Sequence, residues 1–119
     1  MEKVIPDLKE TPQLPAGVWL GKIARLFPGA TPVRIPVSVT GVSTRIADLA
    51  ESTLIEFGSA NAVFFNSKLP LEINDLLLVK NADNTLEADA VVVAVQHTED
   101  SRAVAAKFLW QVPNWIIKP

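Results

Sequence analysis

The fold is decided by residues 33–41, which read VRIPVSVTG. Apolar residues occupy alternate positions as far as Val39, and this period of two predicts a strand with one apolar face. Pro36 has no backbone N–H to donate to a neighbouring strand, so we expect it at a sheet edge or pointing outward. The following residues, Gly41-Val42-Ser43, indicate a turn.

Further strand-like segments follow at spacings near ten residues and are separated by short polar turns. In the longest of them, Val91, Val93 and Val95 are expected on one face, with Val92 and Ala94 on the other. Residues 45–56 fit either a helical turn or a returning strand. The predicted strands are 33–40, 53–57, 62–65, 76–80, 86–96 and 103–110. This pattern predicts an all-β fold, a small six-stranded antiparallel β-barrel, closed or half-closed.

The residues before the first strand have a different character. Three prolines precede residue 16, and each removes a backbone donor and favours extended geometry at its neighbour. Residues 18–27 then place Val18, Trp19, Ile23 and other apolar side chains on one face of a short helix, which Pro28-Gly29 ends. We therefore assign residues 1–30 to an extended lead-in and a helix, and residues 31–119 to the barrel. The helix either docks on its own domain or on a partner.

Composition excludes several classes of protein. At 119 residues, 49% apolar and 20% charged, the chain predicts one folded domain rather than global disorder. The absence of cysteine excludes disulfides and cysteine-type metal sites. A net charge of −2 argues against a nucleic-acid polymer as partner. The mean hydropathy of +0.26 is high for a small domain, so either the core is unusually apolar or another molecule covers part of the surface.

Targeting signals are not expected. Charged residues interrupt every apolar run within the first 15 positions, which does not fit an export signal. No run reaches the roughly 18 apolar residues of a membrane-spanning helix. The sequence therefore predicts a cytoplasmic protein with no membrane span.

The side chains available for chemistry are few. His97 is the one histidine and lies in a polar turn, where a metal site would be too poor in ligands for zinc. Glu87 and Asp89 share one face of a strand; they could serve acid–base chemistry, or simply form its solvated side. Arg25 and Arg34 flank the start of the barrel and either converge on a phosphate or are separate surface charges. We expect no catalytic residue, no metal and no enzyme activity.

From Val33 to its end the chain resembles the PilZ-domain family, small six-stranded barrels that act as cyclic di-GMP receptors and adaptors in bacterial signalling. The segments that carry the resemblance are 33–41, 69–79 (LPLEINDLLLV), 87–92 (EADAVV), 102–109 (RAVAAKFL) and the Pro113-Asn114-Trp115 tail. The resemblance implies a PilZ-like β-barrel and, for function, either dinucleotide binding or adaptor activity.

The two ligand motifs of that family are altered in this chain. The R-x-x-x-R element corresponds to residues 26–30 (LFPGA), which contain no arginine. The D/N-x-S-x-x-G element corresponds to residues 56–61 (EFGSAN), where Asn61 can still adopt the positive φ of the glycine that it replaces. The backbone turn is thus retained, whereas the recognition groups are not.

Three functions remain open. The first is a PilZ-like adaptor that has lost cyclic di-GMP binding and contacts a protein partner. The second is a cyclic di-GMP receptor with a rearranged basic site, and the third is a structural or self-associating barrel. Trp and Phe are good interface anchors, and the candidate interface residues are Trp19, Phe65, Trp110 and Trp115. The candidate ligand residues are Lys22, Arg25, Arg34, Glu56, Ser59 and Asn61.

Overall fold

The computed structural model describes residues 16–83, 85–98, 100–112 and 115. Its elements are α1 (Ala16–Ala24), β1 (Thr31–Gly41), β2 (Ala50–Ser59), β3 (Ala62–Ser67), β4 (Leu76–Asn81), β5 (Glu87–His97) and β6 (Arg102–Phe108), with a 3-10 turn at Thr44–Ile46. The strands close in the order β1-β2-β3-β6-β5-β4, and every neighbouring pair is antiparallel. The predicted six-stranded antiparallel barrel with a short helix is confirmed.

Most element boundaries differ from the sequence prediction by one to three residues. The helix ends at Ala24, three residues before the predicted end at Phe27, because residues 25–28 turn toward Gly29, whose φ is +80°. The ambiguous segment 45–56 contains both alternatives: the 3-10 turn comes first and β2 follows from Ala50. Within the part of the chain described, no helix is long and apolar enough to cross a membrane.

The barrel interior is filled by one apolar cluster. Val37 and Val39 of β1 point into it, while Ser38 lies outside, as the period of two predicts. Pro36 is exposed and directly precedes Val37, the first residue of β1 that pairs with β4. Its missing donor therefore leaves the β1–β4 ladder intact.

A second apolar cluster lies between α1 and the outer face of the barrel. Leu20, Ile23 and Ala24 of the helix pack over β3 and β6, where Phe64 and Ala105 face outward. Small alanine side chains on β6 allow the helix to approach the sheet closely. The helix thus docks on its own domain, which is one of the two alternatives left open by the sequence.

A β-bulge in β5 changes which valines share a face. Val92 pairs with Ala106 of β6, and Ala94 pairs with Ala105. Between these two pairs β5 advances by two residues, whereas β6 advances by one. Val93 is therefore an extra residue, and Val93 and Ala94 both pack toward the helix, while Val95 returns to the interior. The prediction that Val91, Val93 and Val95 share one face was wrong for this reason.

The loop between β3 and β4 is fixed by two arginines. Arg45 forms an ion pair with Asp75 and donates to the Pro70 carbonyl at 2.8 Å. Arg102 donates to the Leu69 carbonyl at 2.9 Å. These contacts determine where the chain re-enters the barrel at Leu76.

Candidate interaction surface

Three of the predicted ligand residues are exposed cations on two elements. Lys22 is on α1 and Arg25 follows it, whereas Arg34 is on β1. None of the three forms an ion pair with another described residue. Glu56 lies at the irregularity in the β2–β3 pairing and accepts a long hydrogen bond of 3.4 Å from the Asn66 amide. No contact joins these four side chains into one site.

Ser59 and Asn61 are close together, but their polar groups serve the structure. The Ser59 hydroxyl donates to Asn61 Oδ1 at 3.1 Å, and the Ser59 carbonyl accepts from the Trp115 indole at 3.0 Å. The Asn61 carbonyl accepts the N–H of Phe108 at 2.9 Å. Asn61 does not use the positive φ that its residue type permits, and the turn is stabilised by these hydrogen bonds instead.

The four predicted interface residues have very different exposures. Phe65 is fully buried because β3 alternates, with Phe64 facing the helix and Phe65 the barrel interior. Trp115 is only 5% exposed, since its ring closes one end of the barrel and packs edge-to-face on Phe108. Both are core residues, and their assignment to a surface was wrong. Trp19 is a residue of α1 that is half-buried and packs against the apolar cluster between α1 and the barrel, whereas Trp110 is 54% exposed.

An apolar surface that the sequence analysis did not single out covers the outer side of β4 and β5. Leu76 pairs with Val91, and Leu78 pairs with Asp89. Their neighbours along the strands point inward, so these four side chains point outward. Leu76, Leu78 and Val91 are half-buried and pack against neither apolar cluster.

This surface continues onto the end of β6. Lys107 pairs with Val91, and the N–H of Leu109 donates to the Asp89 carbonyl at 3.0 Å. Leu109 is 47% exposed and directly precedes Trp110. We call the set Leu76, Leu78, Asp89, Val91, Lys107 and Leu109 the β4–β5 face.

A sequence signal for the β4–β5 face exists. Residues 76–79 and 90–95 are uninterrupted apolar runs within strands, whereas a strand with one solvated face should alternate. Half of each run must therefore face outward. The helix covers two of the outward apolar residues of β5, Val93 and Ala94. Val91 is not part of the apolar cluster between the helix and the barrel.

The carboxylates and the histidine of the described residues do not cluster in groups of three or more that could hold a metal ion. Glu87 and Asp89 lie on one side of β5, as predicted, and His97 is exposed at its end. What the surface presents is apolar area with charges interspersed, which is typical of sites that bind other proteins.

A pocket of about 460 Å³ opens near the point where β1 and β4 stop pairing. Both amide atoms of Asn81, which lines it, are engaged: Oδ1 accepts from the N–H of Leu86 and Nδ2 donates to Thr85. Lys80 is the one charged residue in the lining. A single lysine with no second convergent cation makes a poor anchor for a phosphate.

Comparison of the chain with protein-family models, with curated proteins and with solved structures found no match.

Proposed function

We propose that this chain is a non-enzymatic, PilZ-like adaptor domain that acts through protein–protein contacts made by the β4–β5 face and Trp110. The observation that carries the proposal is the exposed Leu109-Trp110 pair beside half-buried leucine and valine side chains of β4 and β5. An antiparallel barrel needs only its inward face to be apolar. Burying additional apolar surface against a partner contributes about 25 cal/mol of favourable free energy per Å². Tryptophan is also among the residues most enriched in binding hot spots.

Photo-crosslinking in cells tests the adaptor proposal. A photoreactive phenylalanine analogue at Trp110 should give a discrete adduct with another polypeptide, and the Leu78→Asp substitution should remove it. The same analogue at Thr44, an exposed residue of the 3-10 turn, is the control and should give no such adduct. Identical adducts from both positions, or none from Trp110, would contradict the proposal.

We further propose that cyclic di-GMP binding has been lost. The polar groups of Ser59 and Asn61 already form hydrogen bonds within the turn and with Trp115. In addition, no arginine occupies residues 26–30, which correspond to the first ligand motif of the family. Titration calorimetry with cyclic di-GMP should therefore show no binding.

The alternative is a receptor that uses the rearranged basic set. Its support is the exposure of Lys22, Arg25 and Arg34, all free of ion pairs with described residues. Saturable binding that Arg25→Ala or Arg34→Ala abolishes, and that the exposed control Lys68→Ala retains, would establish this alternative and overturn the loss of binding.

A further inference from the structure

We propose that the partner bound by the β4–β5 face is a second copy of this chain, in a symmetric dimer. The inference rests on the proposed function for the role of this face as an interaction surface, and it goes beyond it by naming the occupant. What points to a second copy is the placement of charge and apolar side chains across β5 and β6.

Four outward residues form a two-by-two block. Val91 lies opposite Lys107 in the β5–β6 pairing, and Asp89 lies beside Leu109 through the hydrogen bond of its carbonyl. Asp89 and Lys107 therefore occupy one diagonal of the block, while Val91 and Leu109 occupy the other. Neighbouring strands are about 4.8 Å apart and diagonal positions about 7–8 Å apart.

The two charges of the block have no partner among the described residues of their own chain. Neither Asp89 nor Lys107 forms an ion pair or a side-chain hydrogen bond with any described residue. The diagonal spacing is within reach of a lysine side chain, yet no ion pair joins Asp89 and Lys107. Both side chains are thus available to a partner, one with each sign of charge.

The block is complementary to the same block of a second copy. A two-fold axis that lies in the contact plane, along the diagonal from Val91 to Leu109, turns the block over onto itself. Val91 then meets the same residue of the second copy, and so does Leu109, while each Asp89 meets Lys107 of the other copy. A symmetric contact of this type uses one patch twice, and here it pairs apolar with apolar and opposite charge with opposite charge.

The topology favours contact through faces rather than edges. The strands close into a barrel, so another chain could add only at short stretches that lack a partner on one side, such as residues 31–36 of β1, where Pro32 and Pro36 have no N–H to donate. The face is small, and contacts that bury less than about 1,200 Å² in total are typical of weak or transient complexes. We therefore expect a reversible dimer that depends on concentration, not an obligate one.

Sedimentation equilibrium of the full chain, from micromolar to millimolar concentration, tests the inference. The unaltered chain should show a monomer–dimer equilibrium. Asp89→Lys and Lys107→Glu should each raise the dissociation constant at least tenfold, because each puts two like-charged pairs into the contact. The matched control Asp100→Lys changes an exposed residue of the β5–β6 turn and should leave the equilibrium unchanged.

Mixing the two charge-reversal variants gives the sharpest result. Asp89→Lys mixed with Lys107→Glu restores two opposite-charge pairs in the mixed dimer only, so association should return on mixing. The double variant should also dimerise by itself. Circular dichroism of each variant shows whether it is folded, and this distinguishes a folding defect from the loss of the dimer contact.

Two results would overturn the inference. A chain that stays monomeric over the whole range excludes the second copy, yet a crosslink from Trp110 to a different protein would then still support the adaptor function. A dimer that is indifferent to charge reversal at 89 and 107, or variants that fail to associate on mixing, would exclude this contact geometry.

Discussion

Gly58 lies against the indole ring of Trp115 at one end of the barrel. A Cβ atom added at this position would come within 2.4 Å of Trp115 Cη2 and 2.8 Å of Cζ2. The ring cannot move aside freely, because its N–H donates to the Ser59 carbonyl and the ring packs edge-to-face with Phe108. The missing side chain of Gly58 is therefore what allows Trp115 to close the barrel.

We predict that Gly58→Ala lowers the free energy of unfolding by about 1–3 kcal/mol, the usual cost of overpacking a core. Urea unfolding followed by circular dichroism measures it. Gly21→Ala on α1 is the matched control, because its nearest neighbour would be Phe57 Cζ at an ordinary 3.9 Å. Replacing a helical glycine by alanine should stabilise the protein by about 0.5–1 kcal/mol. Equal stabilities of Gly58→Ala and the unaltered chain would show that Trp115 does not pack as described.

The aromatic residues show how far single positions can be predicted. Trp110 and Trp115 are five residues apart in a similar apolar context, yet one is exposed and the other is buried. The difference is set by Gly58 and Ser59, which lie 57 and 56 residues before Trp115 in the sequence and bind it in the fold. Sequence position alone could not separate these two roles.

At the scale of elements, α1 depends on its docking site. A helix of nine residues is too short to be stable alone in water, so it forms because Leu20 and Ile23 pack on β3 and β6. Its opposite side carries the exposed residues Val18 and Lys22.

We predict that Leu20→Ala lowers the free energy of unfolding by about 2–5 kcal/mol, because Leu20 is fully buried and the truncation leaves a cavity. The matched control is Leu26→Ala just beyond the helix, at a side chain that is 78% exposed, and it should change stability by less than about 0.5 kcal/mol. Thermal unfolding by calorimetry gives both values. If the two substitutions cost the same, the helix does not dock on its own barrel.

The strands illustrate which features of an element the sequence determines. The period of two in residues 33–40 correctly placed Val37 and Val39 inside, because no irregularity interrupts that half of β1. In β5 the same reasoning failed at Val95, since the bulge at Val93 shifts the period and nothing in a run of valines and alanines marks it. The β4–β5 face is hard to predict for a related reason: an uninterrupted apolar run fits a strand buried on both sides as well as a strand with an exposed apolar side.

For the molecule as a whole, β3 and β6 connect its two apolar clusters. Phe64 packs under the helix while Phe65 fills the barrel, and Val104 and Ala105 divide in the same way. Both strands are therefore buried on two sides, so neither cluster can open without disturbing the other. The first half of β1 differs, because none of its residues before Val37 pairs with β4, and Val33 and Arg34 lie at an irregularity in its pairing with β2.

This difference predicts where the native state opens first. In hydrogen exchange followed by NMR, the amides of Val63–Phe65 and of residues 104–106 should be the slowest and should exchange only through global unfolding. The amides of Val33 and Ile35 should exchange faster by local opening, and low denaturant should affect them little. The second half of β1 is the internal control, since it belongs to the same strand but pairs on both sides and should follow the slow group.

Exchange at Val33 as slow as at Phe64 would mean that stability is uniform around the barrel. Early loss of protection in β6 would mean instead that the helix and the barrel unfold separately.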